Sequence, residues 1–119
     1  MLTKPQIEAF AKDWIESWNA HDLERILAHY TDDVELTSPI AAQRLNRPDG
    51  RVVGKDDLRN YFTIGLKAFP ELHFELQEIM SGVNSVVLYY KNQKGVRVGE
   101  YMEIAASGLV SRVVANYSN

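Results

Sequence analysis

Cysteine is absent from the 119 residues. That excludes a disulfide framework, a thiolate metal site and a thiol nucleophile, and it leaves the fold to rest on packing alone. Proline and glycine are sparse, at 4 and 7 residues, so the composition is neither collagen-like nor low-complexity. Lys plus Arg number 13 against 16 for Asp plus Glu, a net charge of −3. So small an excess carries no electrostatic footprint for nucleic acid or an anionic membrane. No apolar run approaches the ~20 residues of a membrane span. The opening Met1-Leu2-Thr3-Lys4-Pro5 lacks a basic-then-apolar signal region. The expectation is a soluble cytoplasmic protein with no nucleic-acid or membrane partner. Histidine occurs only at 21, 29 and 73, which is not a metal-ligand spacing. A Ser-His-Asp order, a glycine-rich phosphate loop and an HExxH pattern are all missing. No metal and no cofactor is expected.

What is present is the profile of one globular domain over residues 1–119, with 45% hydrophobic and 24% charged side chains. A chain of this size hides roughly two-thirds of its unfolded surface, enough for one core and one pocket. Ile7, Phe10, Ala11, Trp14, Ile15 and Trp18 recur at helical intervals opposite Lys12, Asp13 and Glu16, which predicts an amphipathic helix over 5–18. Thr3 and Gln6 form a capping box ahead of it. A second helix is predicted from Leu23, Ile26, Leu27 and Tyr30, with Asp22 and Glu24 favouring its start. Asp32-Asp33 reads as a turn before a short strand, Val34 to Thr37, and Ser38 to Gly50 as an irregular polar loop. A third helix follows Gly54, with Leu58, Phe62, Leu66 and Phe69 inward and Pro70 as its stop. The remainder predicts a four-strand meander over 71–79, 85–92, 96–104 and 109–117, with turns at 92–95 and 106–108. Helices first and strands later predict an α+β fold, with three helices covering one face of a mainly antiparallel sheet.

Strand alternation places Glu100 on one face with Val98, Met102 and Ile104, and Arg97, Tyr101 and Glu103 on the other. A carboxylate on an apolar stripe either has a function or merely meets water or a nearby Lys or Arg at an open edge. Trp14, Trp18, Tyr30, Phe62 and Tyr117 converge on the same interior, as packed core or as the wall of a ligand cavity. Ser38, Met102 and Val113 complete the candidate lining. Whether Leu88 or Tyr89 lies opposite Glu100 depends on the turn at 92–95, because a one-residue slip reverses the strand's face. His73 reads as an outward residue, at the surface or a subunit contact, and His21 and His29 as solvated. Val110 and Val114 are read as an apolar outer sheet face that pairs with a second copy in a homodimer. Asn116-Tyr117-Ser118 matches a glycosylation sequon, with no secretory signal to bring it into use.

Three segments carry a resemblance: Trp14-Ile15-Glu16-Ser17-Trp18-Asn19-Ala20-His21-Asp22-Leu23, Tyr30-Thr31-Asp32-Asp33-Val34, and Phe69-Pro70-Glu71-Leu72-His73-Phe74-Glu75-Leu76. Together they resemble the SnoaL-like branch of the nuclear-transport-factor-2-like superfamily over nearly the whole chain. The resemblance implies a cone-shaped half-barrel: three helices on a strongly curved sheet, with an internal pocket and a dimer contact on the outer sheet face. It also implies an inward acid at Glu100, used as acid/base in the cyclases and as an oxyanion donor in the ketosteroid isomerases. Two positions depart from the isomerase pattern, Trp14 standing for a tyrosine and Ser38 for the general-base aspartate. Serine does not take a carbon-bound proton unaided and indole does not relay one. The cyclase histidine has no clear counterpart in the hairpin from Lys91 to Val96. The expectation is a pocket for a small hydrophobic molecule, with Glu100 held by Trp14, Tyr30 or Tyr117. It serves proton transfer beside a carbonyl (isomerisation, cyclisation or dehydration), or the chain is a non-catalytic ligand-binding or dimerising module of the same fold.

Overall fold

The computed structural model describes residues 1–118; Asn119, the last residue of the domain expected over 1–119, lies outside them. Helix α1, Lys4–Asn19, opens with the predicted capping box. Gln6 N–H donates to Thr3 Oγ1 at 3.3 Å, and Thr3 N–H donates to Gln6 Oε1 at 2.8 Å. The chain reverses at His21, in the left-handed region with φ 54°, and Asp22 caps the short α2, Leu23–Leu27. His21 is not simply solvated: its Nε2 lies 2.8 Å from the Leu72 carbonyl and ties the turn to the segment before the third strand. His29 is held as well, with Nε2 2.7 Å from Asp13 Oδ2 and Nδ1 3.1 Å from the Ile26 carbonyl. His73 is exposed, as predicted.

Tyr30 does not belong to the second helix. It begins strand β1, Tyr30–Thr37, because Val110 N–H donates to the His29 carbonyl and starts a parallel ladder there. Asp32 and Asp33 are thereby exposed residues of a strand rather than a turn. The polar stretch after β1 is also more ordered than its composition suggests. Ser38 Oγ accepts from Ile40 N–H at 3.1 Å and Pro39 takes a first-turn position, which starts helix α3, Pro39–Arg44. Strand β2, Arg51–Val53, then pairs antiparallel with β1. Gly50 joins them at φ +63°, where an added Cβ would stand 2.5 Å from the Ser38 carbonyl oxygen, so only glycine fits. Helix α4, Lys55–Ala68, has Asp56 and Asp57 in its first turn and ends before Pro70.

The meander follows in the predicted order, with its first strand starting at Glu75 rather than Glu71: β3 Glu75–Ser81, β4 Ser85–Lys91, β5 Arg97–Ile104 and β6 Val110–Tyr117. All six strands form one curved, unclosed sheet in the order β2-β1-β6-β5-β4-β3, parallel only between β1 and β6. Four helices rather than three cover its inner face, and the core lies between the two layers. Val110 is the one outer-face assignment that fails. Glu103 pairs with Arg112 and Ile104 with Val110, so Ser111 is bulged out of the ladder and the alternation of β6 reverses there. Val110 and Val113 both point into the core, whereas Val114 stays half-buried on the outer face. Among the described residues no helix is long and apolar enough to cross a membrane.

Candidate functional site

Glu100 sits where the alternation of β5 places it. Val98, Met102 and Ile104 point inward beside it, and its own exposure is 8%. The register across the hairpin puts Leu88 directly opposite Glu100 and Tyr90 opposite Val98. From that diagonal position the Tyr90 hydroxyl donates to Glu100 Oε1 at 2.9 Å. On the other side β6 offers only Ala115, which leaves space beside the carboxyl. Among the described residues nothing donates a hydrogen bond to Oε2. No hydrogen bond reaches the carboxyl from Trp14, Tyr30 or Tyr117; Tyr90 is its holder. Tyr90 becomes legible only once the strand register is known.

A cavity of about 400 Å³ opens over this carboxyl, between the sheet and helices α1, α3 and α4. Trp18, Ser38, Phe62 and Tyr117 line it together with Glu100. Trp14, Tyr30, Met102 and Val113 do not; they form the layer behind the wall. There Trp14 Nε1 donates to the Tyr30 hydroxyl at 3.0 Å, and the Trp14 ring stacks on Phe74 with centroids 5.9 Å apart. Trp18 meets Phe62 edge-on at 4.7 Å. Tyr61, Phe74 and Tyr90 line the cavity without having been singled out. Tyr61 is the chain neighbour of Phe62 on α4, and Phe74 and Tyr90 share the inward parity of Leu72 and Leu88.

Burial sets the electrostatics. It pushes the Glu100 carboxyl up from 4.5 to about 7, against a smaller downward pull from the Tyr90 hydrogen bond. Burial and then the charge of Glu100 hold Tyr30, Tyr90 and Tyr117 above the usual phenol range. Tyr61 is pushed up to about 12, mainly by burial, while the Ser38 hydroxyl beside it acts in the other direction. The tyrosines thus stay neutral and able to donate, around a carboxyl that is part acid and part base at neutral pH. Among the described residues no cluster of three or more metal-ligating side chains is present.

The profile of the SnoaL-like domain matches residues 11–113. The chain is similar to a SnoaL-like protein of unknown function from Burkholderia thailandensis, with 36% identity and a TM-score of 0.94 over 98% of both chains. Its fold is also that of a candidate ketosteroid isomerase from Kribbella flavida, at 18% identity and TM-score 0.75, covering 97% of this chain and 79% of that one. A candidate polyketide cyclase from Sinorhizobium meliloti shares the fold at 11% identity and TM-score 0.77, covering 97% and 100%. Among curated proteins none matches.

Proposed function

Since this chain belongs to the SnoaL-like domain family, we propose that it binds a small apolar carbonyl compound and that Glu100 moves a proton beside that carbonyl. The observation that supports this most is a single carboxyl, 8% exposed, lining an aromatic cavity with its pKa raised to about 7. A group whose pKa lies near the working pH serves well both to take a proton and to return it. Ionised Glu100 takes the α-proton as the C–H electron pair moves into the enolate, and neutral tyrosine hydroxyls of the lining donate to the enolate oxygen. The same carboxyl returns its proton to carbon, so the cycle closes without an oxidant or a second acid. Ser38, whose hydroxyl caps α3, takes no part as a base.

2-Acetonaphthone in deuterated buffer provides the test. The protein is expected to accelerate exchange of its methyl protons, followed by proton NMR, and Glu100→Gln is expected to lower the rate by about a hundredfold. Exchange at the buffer rate with the ketone bound contradicts the proton transfer and leaves a binding module.

We further propose that the outer sheet face pairs with a second copy. Val87, Tyr101 and Val114 are direct cross-strand neighbours there, and all three are half-buried in the single chain. Sedimentation at micromolar concentration is expected to give a dimer, and Val114→Arg a monomer; a monomeric parent chain contradicts the pairing.

A further inference from the structure

We propose that the cavity takes an amphipathic anion, with an apolar carbonyl body inside and a carboxylate at the mouth, held between Arg44 and Lys94. This rests on the reading of the cavity as a ligand site and narrows the ligand class.

The lining contains one acid, Glu100, and one base, Lys94. They lie at opposite depths: Glu100 is buried, and Lys94 is exposed at the rim. The β4–β5 turn that carries Lys94 is fixed by Asn92 Oδ1, which accepts from Lys94 N–H at 2.9 Å and Val96 N–H at 3.1 Å. From this turn the Lys94 ammonium stands 5.2 Å from the centroid of the Phe69 ring, itself part of the lining. The Arg44 guanidinium, from the last turn of α3, stands 5.1 Å from the same centroid. Two cations from separate elements therefore converge on one ring, no further apart than about twice that distance. Neither has a carboxylate within ion-pair distance among the described residues.

The ring's quadrupole attracts each cation but leaves their mutual repulsion and their outward field in place. An anion bound beside the ring is attracted by both. The charge pattern fixes the orientation. A carboxylate next to Glu100 would meet a second negative group in a desolvated place, whereas at the mouth it meets two cations and stays part-hydrated. The carbonyl then falls at the Glu100 end.

The test compares 2-naphthylacetate with its methyl ester by calorimetry on the full chain at low ionic strength. The acid is expected to bind about tenfold more tightly than the ester. Raising the salt is expected to shrink this preference. The double variant Arg44→Gln/Lys94→Gln is expected to abolish it by lowering the affinity of the acid to that of the ester. Both side chains are exposed, so the variant is expected to melt with the parent. Equal binding of acid and ester, or a preference that survives the double variant, overturns the anion assignment while the proton-transfer reading stands. If neither compound binds, the ligand-site reading falls and the assignment falls with it.

Discussion

Glu100→Gln is expected to unfold at a higher temperature than the parent chain at about pH 8, and at nearly the same temperature at about pH 4. The sign follows from the direction of the shift. Burial raises the carboxyl from 4.5 to about 7 in the folded chain, so between these values the unfolded state releases its proton first. Stability therefore falls as pH rises through this window, and above it the folded state carries the full cost of a buried charge. Below it both states are protonated and the cost vanishes. The shift corresponds to about 3 kcal/mol, with little solvent screening at 8% exposure. Glutamine keeps the shape, accepts the Tyr90 hydroxyl and never ionises. For a domain of this size, relief of that order moves the melting temperature by roughly 10 °C. Calorimetric melts across the pH range check it. A parent chain and variant that differ equally at both pH values would mean the carboxyl is not desolvated.

Trp14→Ala is expected to be the most destabilising single change in the layer behind the cavity, by about 4 kcal/mol. Trp14 is 1% exposed and sits among three aromatic rings, with centroids 5.9 Å from Phe74, 5.7 Å from Tyr90 and 6.1 Å from Trp18. Truncation opens a void against all three and leaves the buried Tyr30 hydroxyl without its donor. Trp14→Phe keeps most of the ring contact and loses only that hydrogen bond, for about 1 kcal/mol. Urea unfolding of the two variants separates the terms; equal losses would show that the hydrogen bond, not the packing, is what matters. Because Phe74 and Tyr90 both line the cavity, the alanine variant is also expected to loosen the wall and disturb the Tyr90–Glu100 contact.

The features that rest on local periodicity were legible in the residues. The inner face of α1, the turn at 92–95 and the inward run Val98, Glu100, Met102 all follow from intervals of three, four or two. What failed depended on partners distant in sequence. Tyr30 looked helical by spacing, yet it is drawn into β1 by a parallel ladder with Val110, eighty residues on. Val110 looked outward by alternation until the bulge at Ser111 reversed it. Tyr90 holds Glu100 only because the β4–β5 register puts it one diagonal away. The helix at Pro39–Arg44 did carry a local signal, Ser38 followed by Pro39 as cap and first turn, but six residues with Ile40 as their one large aliphatic side chain give too little apolar stripe to stand out. Of the residues expected in a ligand pocket, Trp18 on α1 and Phe62 on α4 line the cavity, whereas Met102 and Val113 point inward into the core behind it.

The proposed chemistry turns on one proton. Carbon NMR of the chain labelled at glutamate side-chain carboxyls, with Glu100→Gln supplying the assignment, follows that proton directly as pH is varied. The Glu100 resonance is predicted to titrate with a midpoint of about 7, and a midpoint at the ordinary value of 4.5 would contradict the buried acid on which the proposed chemistry depends.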